Sequence, residues 1–346
     1  MRRGRGKEPL QSFILCQAFK KPYFRLCCML TLAFLLGMAL AETGRAADHG
    51  AVAVIGERAY GTLEEAVKAA ESGDVIEIRK SLKLDKTLVL DRKKNLILDF
   101  SGKTLTYSGS KTAISVKAGR VSIRGGKILC RQKENGAISV DVKKNACAAL
   151  YHGSFEGTVR NFGLLEISGG SYESGAAFVS VNNLGKCLID GGTFRNEISN
   201  YGNLTIAGGK FAPRVSSSLT NGGTCVIRDG IFTAQVYQAE GKMTIRGGSF
   251  SYKDEEVQID VYRGTLLITD GRFRAYGVAP NLHVGKKAKV RISGGFFRTD
   301  RSTRAGNILD EGKLTVTGGT FDRDIDVVSA EQPKIGSGVK VKISYG

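Results

Sequence analysis

The chain has 346 residues, 42% of them hydrophobic, with 51 Lys and Arg against 33 Asp and Glu and a formal net charge of +18. That apolar content supports a packed core and excludes a wholly disordered chain. Glycine is frequent, at 45 residues, while proline numbers only 5 and tryptophan is absent, which fits many tight turns and excludes a Pro-rich or collagen-like tract.

The first element is a basic stretch (Arg2, Arg3, Arg5, Lys7, Lys20, Lys21, Arg25) followed by the apolar run LCCMLTLAFLLGMAL over 26–40 and the small-x-small triplet Ala39-Leu40-Ala41. This order predicts a secretory signal peptide over residues 1–41 with cleavage before Glu42. The apolar run is shorter than the roughly 20 residues a spanning helix needs. Cleavage would leave 44 basic and 32 acidic residues, so the exported chain stays basic. It would also leave Cys130, Cys147, Cys187 and Cys225, an even number that permits disulfides but is too dilute for a disulfide scaffold.

Residues 42–74 are expected to form an N-terminal strand and a capping helix. In YGTLEEAVKAAESGDVIEI, Thr62 and Glu65 stand at capping-box spacing, Leu63, Ala66, Val67 and Ala70 fall on one helical face, and Ser72-Gly73 marks a stop. Such a helix would cover the open end of a stacked sheet, where unpaired edges invite aggregation.

From residue 75 to the end the chain reads as short strands. Less regular segments (VIEI, LILDFSGKTL, VSIRGGKI, AISVDV) give way over 159–325 to a repeat in which a glycine precedes an aromatic by nine residues: Gly163/Tyr172, Gly185/Phe194, Gly202/Phe211, Gly223/Phe232, Gly241/Phe250, Gly264/Phe273 and Gly312/Phe321. A further unit, KVRISGGFF, ends at Phe297 and carries extra residues after Gly285. A period near 20 is the mark of a solenoid. Within each unit, alternating apolar positions such as Leu204 and Ile206 predict a strand with one buried face, a Gly-Gly or Asp-Gly turn follows, and the aromatic points inward on a second strand. The linking segment adds a third apolar position (Val159, Val181, Ile198, Leu219), giving three strands per turn and about a dozen turns. Asn161, Asn183, Asn200 and Asn221 each precede a unit glycine by two, so stacking would align their amides as a ladder.

These repeats, with the N-terminal helix, resemble the secreted right-handed parallel β-helix proteins of the pectin-lyase-like superfamily, in particular bacterial surface proteins with GGTF repeats. The resemblance covers roughly residues 55–346 and implies an all-β, right-handed parallel β-helix at or outside the cell surface. It also raises polysaccharide lyase or glycoside hydrolase activity as an alternative. The motifs by which such hydrolases are known, an Asn-Thr-Asp, an Asp-Asp pair, Gly-His-Gly and Arg-Ile-Lys on successive coils, do not stand in this sequence.

Candidate chemistry is sparse. FDRDIDV places Asp322, Asp324 and Asp326 at alternate positions, which on a strand would point one way and serve Ca²⁺ or an acid and base pair. His152 and His283 have no serine or cysteine arrangement that spells a nucleophilic triad and are expected to be structural or surface residues. Cys187 and Cys225 take the inward position that Leu and Met fill in other units, with the Leu204 coil between them, so packing explains them.

What remains is charge. Arg195, Arg274 and Arg298 each follow their aromatic by one, and Lys186, Lys242, Lys289 and Lys313 share the position before the first inward residue, so stacking is expected to turn them into basic ladders. Arg272, Arg274, Lys289, Arg291 and Arg298 are the expected ligand-binding residues for a polysaccharide or other anionic envelope polymer. Export and the lack of any nucleic-acid motif argue against nucleic acid as the partner. A structural spacer in a surface assembly is the third reading. The closing VKVKISYG reads as a strand whose edge predicts end-to-end self-association.

Overall fold

A computed structural model describes residues 50–131, 137–175, 179–214, 217–253, 256–276, 278–299 and 306–345. The predicted signal peptide lies outside the described residues. The described chain begins as an antiparallel hairpin, Ala53–Ile55 against Arg58–Tyr60, whose first strand also pairs antiparallel with Val75–Ile78. That pairing blunts the first edge of the sheet that follows.

Helix α1 (Leu63–Ala69) starts at the predicted capping box. Thr62 Oγ1 accepts from the Glu65 N–H and Glu65 Oε2 accepts from the Thr62 N–H, each at 3.2 Å. Leu63, Ala66 and Ala70 are buried in the core at the first turn. The helix ends at Ala69, before the expected Ser72-Gly73 stop, because the Glu71 N–H turns to Asp74 Oδ2 at 2.7 Å rather than to a helical carbonyl. Basic side chains from the next coil complete the C-terminal end: Arg92 donates to Lys68 O at 3.3 Å and Lys94 Nζ to Ala70 O.

The body is a parallel β-solenoid of about 11 turns. Its first face runs from Val75–Ile78 through strands such as Leu164–Ser168, Lys186–Ile189 and Asn203–Ile206 to Lys334–Ile335, with Leu165, Cys187, Leu204 and Cys225 in register on successive rungs. We call it the aliphatic face. The second, or aromatic, face stacks Phe155, Tyr172, Phe194, Phe211, Phe232, Phe250, Phe273, Phe297 and Phe321. The third, or amide, face runs from Leu88–Leu90 through Thr158–Asn161 and Glu197–Asn200 to Ile343–Tyr345. In the later coils the strands run on through the corners, as in Ile259–Ala275 and Leu282–Thr299.

The aromatic column packs without interruption along the solenoid. Neighbouring rings lie nearly parallel with centroids 4.5–5.0 Å apart. A fully buried Phe contributes roughly 1.5–3 kcal/mol by area, and a ring pair about 0.5–1.5 kcal/mol more. Two repeated glycines permit the coil. From Tyr172 onward the one two residues before each aromatic has positive φ, as at Gly209 (112°) and Gly230 (137°), a conformation costly to other residues. The unit glycine is required by proximity instead: a Cβ at Gly202 would strike the carbonyl of Gly185, and one at Gly223 that of Gly202.

The expected asparagine ladder is present and longer than the repeat shows. Asn161, Asn183, Asn200 and Asn221 each donate through Nδ2 to the next rung at 2.6–2.8 Å, the last to Gln238 Oε1. All five side chains are buried. At the same rung position the later coils carry Val261, Val284, Asp310 and Val327.

A second polar column, not singled out in the sequence, lines the corner between the aromatic and amide faces. Ser180, Ser218, Gln258, Asn281 and Asn307 donate to carbonyls leaving the aromatic strands, those of Tyr172, Phe211, Arg274, Arg298 and Arg323. The Tyr172 and Phe211 carbonyls also accept the Arg195 and Thr233 N–H groups of the next rung, so there the hydroxyls add a second bond to a carbonyl with two lone pairs. Cys130, Cys147, Cys187 and Cys225 are free, and Cys187 and Cys225 flank the Leu204 rung as the sequence implied. At the C-terminal end Val339, Val341 and Ile343 are partly buried against the core, so the last coil is partly covered there.

Candidate functional site

Residues on either side of each buried aromatic point away from the core, because side chains alternate along a strand. Stacking therefore draws two outward rows on the aromatic face. The row before the aromatic reads Thr193, Lys210, Ile231, Ser249, Arg272, Phe296, Thr320 along the solenoid. The row after it reads Glu173, Arg195, Ala212, Thr233, Ser251, Arg274, Arg298, Asp322. Between Glu173 and Asp322 neither row contains a carboxylate.

Three of the five predicted binding residues meet on this face. Arg272 and Arg274 share one rung, Arg298 lies beside Arg274 on the next, and Phe296 lies beside Arg272. All three arginines are exposed, and none forms an ion pair among the described residues. Arg274 also lies over the Tyr276 ring, 4.9 Å from its centroid. Lys289 and Arg291 are exposed too, but on the aliphatic face of the same coil, across the Gly294-Gly295 corner from Phe296.

The expected ladders are shorter than the sequence implied. Lys186, Lys242, Lys289 and Lys313 do share one row, yet Asn203, Thr224 and Thr265 interrupt it, leaving only Lys289 and Lys313 adjacent. Lys313 pairs with Glu331 at 2.8 Å. Arg195 is separated from Arg274 by Ala212, Thr233 and Ser251, and lies 3.7 Å from Glu173. The sequence marks equivalent positions, but a ladder needs the same residue type on consecutive turns.

Reasoning from charge also passed over two apolar members of the face. Ile231 and Phe296 are 49% and 53% exposed, in the row where most coils carry Ser, Thr or a cation. Their signal was available: GIF and GGFF place a second large apolar residue beside the inward aromatic.

The aspartate triad does not converge. Only Asp326 belongs to a strand, Ile325–Val327, while Asp322 and Asp324 lie in the turn before it. Asp322 accepts from the Thr299 N–H and from Asn307 Nδ2, Asp324 from Ser344 Oγ, and Asp326 from the Gly306 N–H, so each carboxylate serves a different partner. Among the described residues, no group of three or more His, Cys, Asp and Glu is placed to hold a metal ion.

His283 stands on the amide face between two carboxylates, with Nδ1 2.8 Å from Asp260 Oδ1 and Nε2 3.8 Å from Glu311 Oε2. The hydrogen bond with Asp260 raises its pKa, burial opposes the rise, and Glu311 adds to it. Deeper in the same corner, Asp310 occupies the amide-ladder position between Val284 and Val327. Its Oδ1 accepts from the Gly312 N–H at 3.1 Å while Oδ2 is buried without a partner. Burial pushes this carboxyl up to about 6, with the Gly312 N–H opposing and Glu331 adding to the rise. In the middle coils the charges are compensated instead. Buried Asp141 takes a bidentate bond from Arg160 and a contact from Lys143 at 2.7 Å; burial would raise its pKa, and these partners overcome it and hold it low.

Compared with known protein families, with curated proteins and with solved structures, the chain matches none.

Proposed function

We propose that the chain is an exported, non-catalytic β-helix of the right-handed, pectin-lyase-like kind, which binds a carbohydrate or other anionic polymer of the cell envelope or its surroundings. The observation that carries this reading is the carboxylate-free stretch of the aromatic face, where Arg272, Arg274 and Arg298 stand exposed without ion pairs among the described residues. Uncompensated cations on a rigid sheet have their side chains available to an external anion. Lys289 and Arg291 extend the positive charge around the same coil. The dispersal of Asp322, Asp324 and Asp326 onto separate structural partners supports the non-catalytic part of the reading over a lyase or hydrolase.

The test is retention on immobilised acidic and neutral polysaccharides across a salt gradient, with release of unsaturated or reducing ends followed in parallel, with and without Ca²⁺. We expect salt-sensitive retention on the acidic polymers, no product, and a loss of retention of about tenfold in a protein carrying Arg272→Gln and Arg298→Gln. Product release would establish an enzyme and overturn the reading, as would equal retention on neutral polymers.

A further inference from the structure

Resting on the cationic face just described, we infer that its partner is an anionic lipid surface, approached side-on, with Ile231 and Phe296 entering the boundary between headgroups and acyl chains. Three observations lead there. First, the face is a flat parallel sheet rather than a groove. Rungs repeat every ~4.8 Å, and the residues concerned follow one another along a single row, Ile231, Ser249, Arg272, Phe296. A groove grips a single polymer strand from two sides, whereas a flat face suits a planar partner.

Second, the two apolar residues lie three rungs apart on the same row, about 14 Å along the axis, with roughly half of each residue exposed. Branched Ile231 offers no ring to stack on a sugar, and both positions are filled by Ser or Thr in other coils, so neither is required by the fold. Exposed apolar residues set among cations are the pattern of interfacial binding, in which acyl-chain contact and attraction to acidic headgroups add.

Third, along the two outward rows the charge is of one sign. Lys210 precedes Ile231, while Arg272, Arg274 and Arg298 surround Phe296, and none of the four has an ion pair among the described residues. Within these rows carboxylates return only at Glu173 and Asp322, beyond both ends. Asp229 and Asp270 stand at the corner before Ile231 and Arg272, where each accepts from the next glycine N–H. Tyr276, under the Arg274 guanidinium, adds an aromatic of the type that settles at headgroup level. Among the described residues no helix is long and apolar enough to cross a bilayer.

The experiment is co-sedimentation of the whole chain with vesicles of phosphatidylcholine alone or with roughly one phosphatidylglycerol in four, alongside retention on soluble dextran sulfate. Residues 1–49 are common to every protein compared, so differences between variants report on the face. The parent is expected to bind the mixed vesicles, to bind them less as salt rises, and to bind pure phosphatidylcholine at least tenfold more weakly. Ile231→Ser with Phe296→Ser should lower vesicle binding about tenfold and leave dextran sulfate retention unchanged, whereas Arg272→Gln with Arg298→Gln should lower both. All four positions are exposed, and an unchanged far-ultraviolet circular dichroism spectrum and melting temperature check the fold. Full vesicle binding by the Ser variant overturns the inference and leaves the polymer reading standing. So does dextran sulfate retention without vesicle binding. Loss of both in the parent overturns the inference and the polymer reading together.

Discussion

The middle coils, Thr158 to Gln238, and the last coils, Ile259 to Val327, are built on one rung plan and solve two problems differently. In the middle coils the corner is filled by a continuous chain of amides from Asn161 to Gln238, and some cations are matched by acids, Arg160 by Asp141 of the coil before and Arg214 by Glu173. In the last coils valines and Asp310 replace the amides, and Arg272, Arg274 and Arg298 face outward without ion pairs among the described residues. The aromatic column crosses both regions without a break. The lesson is that the column defines the fold, while the corners and outward rows are free to differ, and it is in those that function is to be sought.

The largest test of this division removes a ring from each region. Phe211→Ala in the middle and Phe297→Ala in the last coils both delete a fully buried side chain stacked on two neighbours. Each should cost about 3–5 kcal/mol, measured by chemical denaturation, and the two losses should agree to within about 1 kcal/mol. A much smaller loss at Phe297 would mean that the last coils form a separate, weaker unit rather than a continuation of the same column.

A smaller effect distinguishes the corners. Asp310 has a folded-state pKa of about 6, above the ordinary carboxyl value, so the native protein holds a proton that the unfolded chain has released. Its contribution is therefore fully present below about pH 4 and is lost as pH rises toward 6, a change of up to about 3 kcal/mol. Asp310→Asn, which supplies the residue the middle coils use, should flatten that limb and raise stability at neutral pH. Thermal melting of both proteins between pH 4 and 7 checks it. Parallel pH profiles for parent and variant would show that Asp310 is not buried as a lone carboxyl.

How much of this was legible beforehand follows the same division. The aromatic column, the glycine turns and the asparagine ladder could be read because each rests on one residue type at a fixed offset. Asp310 was not, although it too precedes a unit glycine by two, because a single aspartate in an otherwise apolar series gives no periodic signal. The corner column of Ser180, Ser218, Gln258, Asn281 and Asn307 was hidden for a related reason: the carbonyls there accept from a side chain, and three side-chain types donate at varying distance from the aromatic. The aspartate triad was misread because alternation was extended past the end of a strand into a corner, where side chains no longer point alternately. For the cationic face, the sequence indicated Arg272, Arg274 and Arg298. That they form one patch, and that Lys289 and Arg291 do not join it, depends on where the Gly294-Gly295 corner turns the chain.

The smallest effect concerns His283, whose pKa is raised by its hydrogen bond with Asp260 against the opposing effect of burial. Its ring bridges Asp260 and Glu311 across successive turns of the amide face, and the cation is favoured in the folded state. A raised folded pKa contributes stability that is complete below the unfolded value of about 6.5 and disappears as pH climbs through the folded value. Water screens these side chains, which holds the contribution below about 1 kcal/mol. His283→Gln should therefore lower melting slightly near pH 5.5, and the difference from the parent should shrink as pH rises above the unfolded value. Because Asp310 titrates below that window, the two limbs separate: Asp310→Asn alters the profile from about pH 4 to 6, and His283→Gln sets the difference above it. An additive double variant would mean that the two groups act independently although Asp310 adjoins Glu311, whereas a non-additive one would make this corner a single coupled unit.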